Sequence, residues 1–235
     1  MIMTYGVICA MDEELAILKE ALVNESAQNY GQMNFYTGQI HGQDVVLVKS
    51  GIGKVQAGIT TSTLINEYHV DAVINSGSAG GIGDGLSIGD IIISTETAYH
   101  DVDVTASNYK VGQLPGFPAR FEASKDLEDA IAQAAKESGV TAHFGLIVSG
   151  DQFIADSKRI QQIKDNFPDA LCSEMEGAAV GQVAFQNHVP YAVIRAMSDV
   201  GDENAEVSFD QFIITAGKKS GQMLIDLFEN EAARK

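Results

Sequence analysis

The apolar positions fall into short continuous runs separated by longer stretches of helical spacing. Tyr5 to Ala10 (YGVICA) is a run of strand length. Asp12 to Leu22 follows it with Leu15, Leu18 and Leu22 on one helical face. Phe35 to Ile40 and Asp44 to Lys49 predict two strands joined by a tight turn at His41 and Gly42, and such a hairpin makes the sheet mixed. A helix ending near Tyr68, a strand over Ala72 to Ser76 and a longer strand over Asp90 to Tyr99 come next. Ser124 to Ser138 predicts a helix closed by Gly139, Thr141 to Ser149 a strand, and Asp156 to Asn166 a helix stopped by Pro168. Leu171 to Gln186 runs from a short strand straight into a helix, and Tyr191 to Met197 is the last strand. The C-terminal helix carries Phe209, Phe212, Ala216, Met223, Leu224 and Leu227 as one stripe, and Ser208 with Gln211 reads as the capping box that opens it. Strands alternating with helices predict an α/β fold, a central mixed sheet with helices on both sides. No linker or low-complexity segment interrupts the chain, so residues 1–235 read as a single domain.

Three segments stand outside this rhythm. Ser50 to Gly58 (SGIGKVQAG) looks like a nucleotide loop but fails the pattern, because Val48 and Val55 stand where a Gly and a hydroxyl residue belong and Gln56 where a dinucleotide motif needs its third Gly. What remains is a turn whose glycines can bring backbone N–H groups close to a ligand. Gly77 to Gly85 (GSAGGIGDG) reads as a glycine loop with Ser78 its only hydroxyl. Tyr99 to Arg120, with Pro115 and Pro118, is a long irregular segment, of the kind that in a compact domain is functional or interfacial.

Charge narrows the function classes. The 15 basic and 32 acidic residues give a net charge of −17, which argues against nucleic acid or an anionic membrane as partner. No apolar run reaches spanning length, and Asp12, Glu13 and Glu14 arrive too early for a signal peptide. Cys9 and Cys172 lie in apolar segments and read as buried, reduced thiols, so a cytoplasmic location is expected.

The candidate chemistry gathers at strand-to-helix junctions. Glu14 follows the first strand, Ser78 the strand after the hairpin, Glu176 the strand before the small-residue helix, and Asp199 the last strand. Glu14 and Glu176 also have plainer explanations. Asp12, Glu13, Glu14 and Glu174 suit helix N-termini by dipole, and Ser173 with Glu176 fits a capping box. Arg195 inside an apolar strand is costly unless paired. His100, Asp101 and Asp103 are too few and too close in sequence for a metal site. Acids converging at one end of a sheet nevertheless suit acid–base chemistry on a polar small molecule.

The segments AMDEEL, KSGIGKV, NSGSAGG, GDIIIS, YHDVDVTA, GQLPG, SGDQFI, EMEGAA, RAMSDV and SFDQF, in this order from Ala10 to Phe212, resemble the bacterial 5′-methylthioadenosine/S-adenosylhomocysteine nucleosidases. The resemblance implies the nucleoside phosphorylase fold, a three-layer αβα sandwich, in a homodimer. It implies hydrolysis of the N-glycosidic bond of a thio-substituted adenosine, with no metal or cofactor. By the same resemblance Asp199 is the general acid to adenine N7, which requires a pKa raised by burial, and Glu14 activates the water. Glu176 binds the ribose hydroxyls, with Met175 packed on the sugar and Arg195 nearby. Phe153 stacks on adenine, and the Ile154 backbone bonds its edge. Ile52, Ser78, Ser198 and Phe209 complete the pocket, while Val104 and Pro115 come from the neighbouring subunit to cover the 5′-thio group. The pattern aligns best from Met3, which makes Met1 and Ile2 an extension. It departs from some relatives at Ser107 and Asn108, where they carry a bulkier aromatic, and this leaves the 5′ preference open. A purine nucleoside phosphorylase shares the fold, but it grips phosphate with arginines where this chain has Asp12 to Glu14 and Asn75. A non-catalytic adenosine-binding module would not need both Glu14 and Asp199.

Overall fold

The computed structural model describes residues 3–199 and 205–233. Their strands form one 10-stranded mixed sheet. Its centre is built from β1 (Tyr5–Cys9), β4 (Gln43–Lys49), β5 (Ala72–Gly81) and β10 (Tyr191–Asp199), which pair in parallel. The hairpin of β3 (Met33–Ile40) with β4 is present, and β2 (Val23–Tyr30) extends it outward as an edge strand. On the other side β6 (Ile91–Tyr99) pairs antiparallel with β10 and parallel with β8 (Ala142–Ser149), and the short β7 (Phe121–Glu122) lies on β6. β9 (Ala170–Glu174) pairs with β8 and also with β5, through Gly80 and Gly81. The sheet therefore closes on itself through β5, β10, β6, β8 and β9, a feature that alternation along the chain did not predict.

Alternating strand residues feed two cores. Val7, Cys9, Leu47, Ile74, Ile93, Ala192 and Ile194 face α1 (Asp12–Ala21), α3 (Lys125–Glu137) and α6 (Ala205–Ala233). Ile8, Val46, Val48, Val73, Ile92 and Val193 face the other layer, to which α2 (Lys54–Asn66) and α5 (Gly177–Asn187) contribute. This burial on both sides is why the central strands read as unbroken apolar runs. A third cluster forms where α4 (Ser157–Asn166) places Ile163, and Phe167 just after it, against β8. Capping agrees with the sequence at α3, where Ser124 accepts the Leu127 N–H, and Gly139 takes a φ of +67° just beyond the end.

The structure corrects several expectations. Gly77 to Gly81 is strand rather than loop, because Gly77 to Gly80 pair with β10 and Gly80 and Gly81 pair with β9. β2 was not expected: every residue in it is exposed, so it has no apolar alternation and is held by its ladder to β3. Ser173 lies inside β9, so the Ser173–Glu176 capping box does not form; Glu176 itself is the N-cap of α5 and makes no side-chain cap bond. Ser208 lies inside α6, which begins at Ala205, so it is not that helix's cap. Ser198 and Asp199 are the last residues of β10, not the residues beyond it. Residues 202–204 lie outside the described residues, as do Met1 and Ile2, while Ala205 and Glu206 form the first turn of α6.

Candidate active site

The C-terminal ends of β1, β5, β9 and β10 open onto one cavity of about 330 Å³. Glu14, Ile52, Ser78, Phe153, Ile154, Met175, Glu176, Ser198, Asp199 and Phe209 all line it. Arg195, Val104 and Pro115 do not line it.

Glu14 sits in the first turn of α1, and its carboxylate turns back toward the end of β1. Oε2 accepts the N–H of Ala10 at 2.9 Å and of Met11 at 3.2 Å, while Oε1 accepts both the N–H and the hydroxyl of Ser78 at 3.0 Å. Its first-turn position suits the helix dipole as the sequence suggested, but the side chain is 2% exposed and faces the cavity. Asp199, also 2% exposed, ends β10, and Ser198 Oγ donates to its Oδ2 at 2.9 Å.

The glycine run explains how both acids fit. A Cβ on Gly77 would stand 2.7 Å from Glu14 Oε1 and would also strike the Arg195 guanidinium. One on Gly80 would stand 2.7 Å from Asp199 Oδ1. β5 thus passes between the two carboxylates, and only a bare backbone has room there.

Below the cavity floor lies a buried ionic group. Arg195 is 1% exposed; its Nη2 donates to Asn75 Oδ1 at 2.6 Å, to Glu174 Oε2, and to Glu176 Oε2 at 3.4 Å. Burial opposes the guanidinium charge, but Glu174, Glu176 and Glu14 outweigh it and raise its pKa. Glu174 also accepts the N–H groups of Glu176 and Gly177 and the hydroxyl of Ser149, so it orders the start of α5. Glu176 Oε1 accepts the N–H of Gly53 at 2.8 Å, and this is where the glycine turn of the false nucleotide motif spends its amide. Burial pushes the Glu176 carboxyl up to about 7, with the Glu174 charge adding to the shift and Arg195 and the Gly53 amide opposing it.

The rim is apolar. Phe153, 49% exposed, meets Phe209 edge to face with ring centroids 5.6 Å apart, and Ile52 is 55% exposed on the other lip. The lining carries four carboxylates (Glu14, Glu174, Glu176, Asp199) and, among the described residues, no lysine or arginine. No set of three or more His, Cys, Asp or Glu side chains among the described residues is grouped to hold a metal ion. Asp101 is bonded to Lys54, and Asp103 to Thr105. Sequence reasoning missed Glu174, Gln152, Ile82 and Ser173 as lining residues. For Glu174 the sign was present: a second acid two residues before Glu176 at the same strand end, with a cation expected nearby.

The phosphorylase superfamily matches this chain over residues 4–229. A 5′-methylthioadenosine/S-adenosylhomocysteine nucleosidase from Neisseria meningitidis, solved with methylthio-immucillin-A, is 44% identical; 97% of this chain and 99% of that one are covered, at a TM-score of 0.95. The nucleosidase of the same name from S. pneumoniae, solved with a transition-state inhibitor, is 43% identical, with 97% and 99% covered and a TM-score of 0.93. That from Colwellia psychrerythraea, solved with adenine, is 40% identical, with 97% and 95% covered and a TM-score of 0.95.

Proposed function

From the premise that this chain belongs to the phosphorylase superfamily and, within it, to the 5′-methylthioadenosine/S-adenosylhomocysteine nucleosidases, we propose how its cavity cleaves those substrates. The enzyme is an N-glycosyl hydrolase: water replaces adenine at C1′ of the thio-substituted ribose. The observation that carries the mechanism is that Glu14 and Asp199, supplied by α1 and β10, line one buried cavity together with Glu176.

Adenine leaves poorly as an anion. Asp199 gives its proton to N7, and the C1′–N9 electron pair passes to the purine as that bond breaks. The ribosyl group becomes oxocarbenium-like, and the carboxylates around it favour the positive charge. Glu14 takes a proton from water while the oxygen adds to C1′. Glu176 receives the ribose hydroxyls, Met175 packs on the sugar, Phe153 stacks on adenine, and Ile154 bonds its edge through the backbone. Arg195 acts from beneath by pairing with Glu174 and Glu176. We place the enzyme in the cytoplasm as a single domain and a homodimer, the partner subunit's Val104 and Pro115 covering the 5′ end. Among the described residues no helix is long and apolar enough to cross a membrane. In support of the dimer, Val104 and Pro115 stand outside the cavity of their own chain, and Ile52, Val55, Ile59 and Phe185 are 48–70% exposed.

The phosphorylase alternative meets a lining of four acids and, among the described residues, no basic one, which repels phosphate. The test is incubation with methylthioadenosine in phosphate-free buffer. Free adenine is expected from the native chain and none from Asp199→Asn, which still binds a transition-state inhibitor. A requirement for phosphate, with ribose 1-phosphate as product, overturns the hydrolase assignment, and undiminished turnover in Asp199→Asn overturns the acid.

A further inference from the structure

Two loops flank the cavity without bonding to either reacting acid. One, Ser50 to Lys54, carries Ile52 on the rim and holds Glu176 through the Gly53 amide. The other, Gly150 to Ile154, carries Phe153 and Ile154. They meet at a single seam. Lys54 Nζ donates to Asp101 Oδ1 at 2.7 Å and to Oδ2 at 2.6 Å. Asp101 Oδ2 also accepts the Asp151 N–H at 2.9 Å, and Asp151 Oδ1 accepts the Lys54 N–H at 2.8 Å. The Lys54 and Asp101 side chains are 20% and 11% exposed, so the pair is shielded from water. The Tyr99 ring lies 5.3 Å from Lys54 Nζ. A Cβ on Gly53, at φ +101°, would come within 3.1 Å of Asp151 Oδ1, so the two loops are in close contact.

We propose that Lys54 and Asp101 are positioning residues: their ion pair locks the Ile52–Gly53 loop to the Phe153–Ile154 loop and so fixes the spacing between the sugar end and the base end of the pocket. This rests on the reading of the cavity as a nucleoside site. Neither residue lines that cavity. A shielded ion pair contributes little net stability compared with apolar packing, so geometry is the more economical reason for this one. Among the described residues, Glu14 is held by Ala10, Met11 and Ser78 and Asp199 by Ser198, none of which is in the seam. Loosening the lock therefore weakens substrate binding more than it slows bond breaking.

The experiment compares Lys54→Met, Asp101→Asn, their double variant and Lys54→Arg with the native enzyme, using methylthioadenosine in steady state. Lys125→Met, exposed on α3, is the control. Each single charge loss is expected to raise KM roughly tenfold with kcat within about threefold of native. The double variant should be no worse than the poorer single, because Lys54→Met already removes the pair with Asp101 together with the longer contact to Asp151 at 3.8 Å, and Lys54→Arg should recover most of the loss. Amide hydrogen exchange at Gly53 and Asp151 reads the lock without substrate and should quicken in Lys54→Met and Asp101→Asn but not in the control. Unchanged KM in both singles, multiplicative losses in the double, or unchanged exchange at both amides overturns the proposal. A fall in kcat at native KM with a lowered unfolding midpoint marks a merely structural pair and also overturns it. A native chain that frees no adenine counts against the nucleosidase reading instead, and hydrogen exchange still judges the lock.

Discussion

Glu176 carries the clearest consequence of burying acids together. Its carboxyl is raised from 4.5 to about 7, first by burial and then by the charge of Glu174, with a smaller push from Glu14; Arg195 and the Gly53 amide pull the other way. The folded chain thus holds this proton more tightly than the unfolded chain. The group's contribution to folding is full below 4.5 and is lost as pH rises through about 7. In its proposed role as ribose ligand Glu176 has the opposite pH dependence, because the ionised carboxylate can accept from both hydroxyls and the protonated one has fewer acceptor sites. We expect kcat/KM to fall as pH drops below about 7. Glu176→Gln should flatten that limb, lower kcat/KM roughly 10- to 100-fold at high pH, and unfold at a higher temperature than native at pH 8 but not at pH 4. Rate profiles and thermal melts check this; a limb that survives in Glu176→Gln assigns the titration to another group.

At the level of elements, the apolar runs of β1, β4, β5 and β10 were legible because a parallel strand buried on both faces must be apolar throughout. The strand ends then located Glu14, Ser78, Glu176 and Asp199 in one place. What escaped were elements fixed by pairing rather than by side chains. β2 is a polar ribbon that only its neighbour makes a strand, and Gly77 to Gly81 has a loop's composition but a strand's hydrogen bonds. Local capping patterns also gave way to tertiary demands: Ser173 belongs to β9, and the Glu176 side chain is taken by Gly53 and Arg195. The glycine run supplies a test at this scale. Gly80→Ala places a Cβ 2.7 Å from Asp199 Oδ1, so the acid must move. We expect about 1–3 kcal/mol of destabilisation and a roughly 100-fold loss of kcat, measured by urea unfolding and steady-state kinetics. Gly58→Ala, inside α2 with Val183 Cγ2 3.9 Å away, should instead stabilise by about 0.5–1 kcal/mol. If Gly80→Ala behaves like Gly58→Ala, the close approach of β5 to Asp199 is not a constraint on the site.

The whole molecule carries two opposing tendencies. Its charge of −17 makes any two copies repel. Yet one side presents Val55 at 70%, Ile52 at 55%, Phe185 at 50% and Ile59 at 48% exposure, apolar groups on or beside the packed pair α2 and α5. A dimer built on that face must gain enough from apolar burial to overcome the repulsion. Salt screens the repulsion, over a Debye length of about 8 Å at physiological ionic strength, and leaves the apolar term in place. Association should therefore tighten as sodium chloride is raised from low to moderate concentration, the reverse of an interface held by ion pairs. Val55→Asp and Ile59→Asp put a charge on that face, and each should weaken the proposed dimer by about 30-fold or more. If the partner subunit's Val104 and Pro115 cover the 5′ end, the monomeric variants will keep their fold but show a raised KM for methylthioadenosine, restored at protein concentrations high enough to reassociate them. Sedimentation velocity beside kinetics over a range of enzyme concentrations decides the matter. A monomer with native KM would mean that each cavity is complete within its own chain, and a dimer that survives both substitutions would place the interface on another face.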